Sequence, residues 1–127
     1  MIDILLAEDD DVMRHYLARA LERAGYCVVA VGCGTEALAR LETEEMFDLL
    51  LTDIVMPEMD GIELAQRVTR LHPRMRIMFI TGFSAVSVKA GQALPQARIL
   101  SKPFHLKDLV AEVDRVLQSP SLATEGF

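Results

Sequence analysis

Apolar runs of four to eight residues recur at positions 2–7, 26–31, 47–52 and 77–80, with a weaker one at 97–100. Four of the five are near-continuous rather than alternating, the pattern of strands covered on both faces in a parallel sheet. The segments between them have helical period. Met13, Leu17, Ala20, Leu21 and Ala24 fall on one face, and Gly25 stands where a C-terminal cap belongs. Leu106, Leu109, Val110, Val113, Val116 and Leu117 form a second such stripe, with Lys107, Asp108, Glu112, Asp114 and Arg115 facing water. Five strands alternating with five helices predict a three-layer α/β domain over residues 1–118. Between Phe83 and Gln96 the pattern is poorest, and Gly91 and Pro95 interrupt a possible short helix, so mobility is expected there. Residues 119–127 have no period and read as a flexible tail.

Ligands of open parallel sheets bind beyond the carboxyl ends of the strands. The residues there are informative: Glu8, Asp9, Asp10 and Asp11 after the first run, Asp53 after the third, Thr81 after the fourth, and Ser101 and Lys102 after the fifth. In a doubly wound order 2-1-3-4-5, the first and third strands are neighbours, which sets Glu8 and Asp9 beside Asp53. Two carboxylates about 4 Å apart repel by roughly 4 kcal/mol at an effective dielectric of about 20, so such a cluster calls for protonation or a cation. Magnesium suits it, since it takes oxygen ligands, usually keeps waters and often shares carboxylates with a phosphate. A carboxylate can also act as nucleophile toward a phosphoryl group, with Thr81 as hydroxyl donor and Lys102 as cation for its oxygens. Taken singly, each residue has a plainer reading. Asp10 or Asp11 would cap a helix, Asp53 could lie in a loop, Thr81 could be a strand-end hydroxyl, and Lys102 could be a solvated cation. Their joint placement at four strand ends is what points to chemistry.

Composition narrows the classes. The 127 residues suffice for one domain with its own core, and 51% hydrophobic with 25% charged residues is globular rather than disordered. A net charge of -6 argues against nucleic acid as partner. No apolar run approaches the length of a membrane span and no signal peptide precedes the first strand, so a cytoplasmic protein is expected. Cys27 and Cys33 read as ordinary reduced thiols, and His15, His72 and His105 are too scattered for zinc.

The motifs Leu-Leu-Ala-Glu-Asp-Asp, Leu-Leu-Thr-Asp-Ile-Val-Met-Pro-Glu-Met-Asp-Gly, Phe-Ile-Thr-Gly and Ser-Lys-Pro-Phe make residues 2–117 resemble a response-regulator receiver domain, with a CheY-like fold. The resemblance implies that Asp53 accepts phosphate from a histidine kinase or histidine phosphotransferase. It implies that Glu8, Asp9, Asp53 and the backbone carbonyl of Val55 hold Mg2+, that Thr81 and Lys102 engage the phosphoryl group, and that the Lys102–Pro103 peptide is cis. Gly82 stands where a small residue leaves room for that group. Receivers often carry Tyr or Phe three residues before the lysine; Ile99 stands there, so an aromatic rotamer switch is not expected. The fourth helix, fifth strand and fifth helix are expected to read the phosphate out to a protein partner. Among family members the likeness is strongest to single-domain cell-cycle regulators of alphaproteobacteria, which implies control of proteolysis by ClpXP with the unphosphorylated form active. The alternative is a chemotaxis-type or phosphorelay receiver.

Two rivals come from other classes. Gly32-Cys33-Gly34-Thr35-Glu36-Ala37 superficially matches the G-x-G-x-x-A fingerprint of nucleotide or S-adenosylmethionine binding, but Glu36 would repel a pyrophosphate. A phosphohydrolase acting through an aspartyl phosphate would place an acid two residues after the nucleophile. Val55 stands there, so turnover should be slow and a phosphorylated state should persist, as suits a signal rather than an enzyme.

Overall fold

The computed structural model of the chain describes residues 1–43, 46–82 and 84–118. The expected tail at 119–127 and Phe83 lie outside the described residues. The elements alternate throughout: β1 (Asp3–Ala7), α1 (Asp11–Arg23), β2 (Cys27–Val31), α2 (Gly34–Glu42), β3 (Leu49–Asp53), α3 (Gly61–Leu71), β4 (Arg76–Thr81), α4 (Ser84–Ala93), β5 (Arg98–Ser101) and α5 (Leu106–Gln118). All strands are parallel, in the order β2-β1-β3-β4-β5, as the run spacing predicts.

Strand alternation divides the core in two. Ile4, Leu6, Leu49, Leu51, Met78 and Ile80 face Leu17 and Leu21 of α1 and Leu109 and Val113 of α5. Leu5, Ala7, Leu50, Ile77 and Phe79 turn the other way, toward α2, α3 and α4. Near-continuous apolar runs are therefore needed in β1, β3 and β4, which are fully covered. The run that forms β2 promises the same, yet the structure puts it at the sheet edge, with Cys27 and Ala30 exposed and Val28 and Val29 half-buried. A single strand neighbour leaves it less cover than the central strands have. The α5 stripe is likewise trimmed at its start, where Leu106 stays 40% exposed.

Helix ends follow local chemistry. Asp10 caps α1 through Oδ1, which accepts from the Met13 N–H at 3.0 Å, and Asp60 caps α3 in the same way on the Glu63 N–H at 2.8 Å. Gly25, at φ 101°, ends α1: its N–H reaches the Glu22 carbonyl and the Tyr26 N–H reaches the Leu21 carbonyl. The Ser84–Ala93 helix runs unbroken through Gly91, where the sequence pattern suggests an interruption; Pro95 lies beyond its end. No helix among the described residues is long and apolar enough to cross a membrane.

One contact sets the geometry of the sheet edge. The α3 start presses against the end of β3 so closely that a Cβ on Gly61 would lie 2.1 Å from the Asp53 carbonyl oxygen, and the Gly61 N–H donates to the Ile54 carbonyl at 2.7 Å. Gly61→Ala should therefore cost roughly 2–3 kcal/mol, by forced backbone displacement. Gly91→Ala, in an open helical position, should be neutral or stabilise by up to about 1 kcal/mol. Urea unfolding of both variants checks the contrast, which equal destabilisation would refute.

Candidate functional site: an acidic pocket at the carboxyl edge of the sheet

Parallel register brings the strand ends to one rim: Ala7 lies beside Thr52, Asp53 beside Ile80, and Thr81 beside Ser101. Glu8 and Asp9 leave β1 there, and carboxylate oxygens of Glu8, Asp9 and Asp53 all lie within 4.8 Å of one another. Lys102, arriving after β5, places Nζ 3.2 Å from Asp53 Oδ2 and 3.6 Å from Glu8 Oε1. Thr81 is buried at the end of β4, and its carbonyl accepts from the Lys102 N–H at 2.8 Å. The Lys102–Pro103 peptide is cis, as the resemblance implies.

Burial differs sharply among the acids. Glu8 is 1% exposed, Asp53 is 9% exposed, and Asp9 is open to solvent. Asp53 Oδ1 accepts from the Val55 N–H at 3.3 Å while its Oδ2 faces Lys102. Glu8 Oε2 accepts from the Asp10 N–H at 3.3 Å, but Glu8 Oε1 is buried with no hydrogen-bond partner. Burial, then repulsion from Asp53, pushes the Glu8 carboxyl up to about 7, against the opposing pull of the Asp10 amide and Lys102. For Lys102 burial works to lower the pKa, but Asp53 and Glu8 outweigh it and hold the ammonium above its ordinary value. The crowding that the sequence predicts is thus eased only in part, by the Lys102 ammonium and by a Glu8 carboxyl that gives up its proton late.

The donor set fits a hard divalent cation. Three carboxylates face one ammonium, and the buried Oε1 of Glu8, with no hydrogen-bond partner and Lys102 Nζ only as near as 3.6 Å, is an oxygen that a cation would satisfy. A side chain at position 82 would meet Lys102 Cβ only at 3.9 Å, so the space over the pocket is open. Val55 turns a 47% exposed apolar side chain outward next to Asp53, with no acid in that place. Ile99 packs half-buried against the core on the α2, α3 and α4 side.

The comparisons with known proteins agree with this geometry. The family model of the response regulator receiver domain matches residues 4–114. The chain belongs to the response regulator receiver family. It is 58% identical over 115 residues to the response regulator receiver protein CpdR of Brucella abortus, covering 90% of this chain and 95% of that one. It is 35% identical to the sensor kinase CckA of the same organism, of which it covers 12%. Among solved structures, a response regulator receiver protein from Sinorhizobium medicae superposes with a TM-score of 0.85 at 29% identity, covering 93% of this chain and 95% of that one. The chemotaxis protein CheY4 of Vibrio cholerae gives 0.80 at 30% identity, with 91% and 98% covered. Receivers are signalling modules rather than enzymes; they bind Mg2+ at an acidic pocket and take phosphate from histidine kinases.

The dinucleotide-like segment has another explanation. A Cβ on Gly34 would lie 3.0 Å from Met59 Sδ and one on Gly32 3.3 Å from Arg14 Nη1, so both glycines serve packing. Two features of the rim were not legible in the sequence. Arg14 Nη1 donates to the Glu8 carbonyl at 2.9 Å, and Glu58 sits at φ 68° in the loop after Asp53, a conformation costly for a residue with a side chain.

The Glu8 shift carries a pH signature. The unfolded chain loses this proton near 4.5 and the folded chain only near 7, so between those values the folded state holds more protons. Stability without divalent cations should therefore fall as pH rises through that window, by an amount on the order of 3 kcal/mol, and level off above it. Glu8→Gln should flatten this part of the curve. Chemical unfolding across the range in the presence of EDTA tests it, and a wild-type curve that rises through the window would contradict it.

Proposed function

We propose that Asp53 is the phosphorylation site of a receiver whose phosphorylation switches its binding to partner proteins. The observation that carries this reading is the convergence of Glu8, Asp9, Asp53 and Lys102 within a few ångströms on one rim. An Asp53 oxygen attacks the phosphorus of a phosphohistidine on a histidine kinase or phosphotransferase. The new O–P bond forms as the N–P bond breaks, and the released imidazole takes up a proton. Glu8, Asp9, Asp53 and the carbonyl of Val55 hold Mg2+, which when bound neutralises charge on the transferring oxygens. Lys102 leaves its pairing with Asp53 to follow the phosphoryl group, and Thr81 supplies a hydroxyl from β4. With Val55 in place of an acid, no neighbouring group assists hydrolysis, which favours a long-lived acyl phosphate.

A phosphoryl group adds about -1.5 to -2 charge at the rim. The shift of Lys102 and Thr81 biases the segment after β4 and the adjoining face of α4, β5 and α5. A groove of about 590 Å³ on that side, lined by Leu100, Phe104, His105, Ala111 and Arg115, offers a place for a partner. The extensive likeness to CpdR supports a cell-cycle role through ClpXP in the cytoplasm, the unphosphorylated form being the one that engages the protease. A chemotaxis-type or phosphorelay role is the alternative.

Incubation with acetyl phosphate and Mg2+ should phosphorylate the wild type and leave Asp53→Ala unmodified by intact mass; equal labelling of the variant would overturn the assignment. Immobilised unphosphorylated protein should retain ClpX and release it on phosphorylation, whereas Asp53→Ala should retain it throughout. Recovery of a histidine phosphotransferase but never of a protease component would favour the relay reading.

A further inference from the structure

We propose that Arg14 is a positioning residue for the divalent cation, clamping the backbone of Glu8 so that the Glu8 and Asp9 carboxylates converge on Asp53. This rests on the reading of the acidic pocket as the Mg2+ site. Arg14 lies in the first turn of α1, and its side chain is only 25% exposed. It does not point its charge into the pocket. Nη1 donates to the Glu8 carbonyl at 2.9 Å, while Nη2 pairs with Asp11 at 2.5 Å, so the guanidinium ties the end of β1 to the start of the helix. On its other side the Glu8 N–H donates to the Val31 carbonyl at 3.1 Å. The peptide units flanking Glu8 are therefore both fixed from outside the pocket, and Oε1, which has no hydrogen-bond partner, is held 3.6 Å from Lys102 Nζ at the place where Asp53 converges. Gly32 leaves the guanidinium its room: a Cβ there would lie 3.3 Å from Arg14 Nη1 and 4.0 Å from Arg14 Cζ and Glu36 Oε1, so a larger side chain would crowd the clamp.

Charge and position make opposite predictions. A cation near a cation site, acting only by its field, weakens metal binding, so its removal would tighten it. A group that orients a metal ligand typically contributes roughly 10- to 100-fold to affinity, so its removal loosens it. Calorimetric titration with MgCl2 at about pH 8 distinguishes them. Arg14→Ala should raise the Kd for Mg2+ about tenfold, Arg14→Lys, which keeps one donor within reach of the Glu8 carbonyl, should recover part of that loss, and Gly32→Val should weaken binding in the same direction. Unchanged or tighter binding by Arg14→Ala, or a loss that Arg14→Lys does not reduce, would overturn the inference while leaving the site in place. Glu8→Gln serves as the separate control: if it binds Mg2+ as the wild type does, the pocket itself is misassigned and the inference falls with it.

Discussion

A buried carboxylate beside another carboxylate is the constraint around which the rim of this domain is arranged. When both are ionised, Glu8 and Asp53 sit near enough to repel by roughly 3–4 kcal/mol at an effective dielectric of about 20, and the Lys102 ammonium, with the Asp10 and Val55 amides, compensates them in part. A cluster so assembled is not in electrostatic balance: it keeps a proton on Glu8 near neutral pH and has an unfilled acceptor in Oε1. An oxygen-seeking divalent ion would offset that imbalance.

The fold supplies what such a cluster needs to persist. Three fully covered strands anchor the ends of β1, β3 and β4, so Glu8, Asp53 and Thr81 emerge from backbone that cannot easily shift. The turn after β3 is pinned by the approach of Gly61 to the Asp53 carbonyl, and the turn after β1 by the Asp10 cap and by the Arg14 contact with Glu8. The edge strand β5 is short and only half covered, and Lys102 follows directly from it. Lys102 is therefore joined to the less covered part of the sheet, which would suit the proposed exchange of a carboxylate partner for a phosphoryl oxygen.

Much of this was legible in the sequence because parallel strands deliver their carboxyl ends to a common rim. Once the apolar runs are read as parallel strands in the order 2-1-3-4-5, Glu8, Asp9, Asp53, Thr81 and Lys102 fall on one edge of the sheet. What periodicity could not show was cover and contact. The run that forms β2 resembles a central strand, since order in the sheet and not composition decides how many neighbours a strand has. Gly91 looks like a breaker but is a helical position with open space around it, whereas Gly61, an unremarkable residue in a turn motif, is the glycine that packing requires. Nor could spacing reveal that Glu8 is buried while Asp9, its immediate neighbour, is open, although burial is what pushes the Glu8 carboxyl up.

The central claim is that these separate stretches of chain form one cation site, and paramagnetic broadening by substoichiometric Mn2+ in an amide NMR spectrum tests it most directly. Signals of Glu8, Asp9, Asp53 and Val55 should vanish first and return when excess Mg2+ displaces the probe. Broadening centred instead on exposed acids elsewhere, such as Asp48 or Glu22, with the rim signals intact, would contradict it.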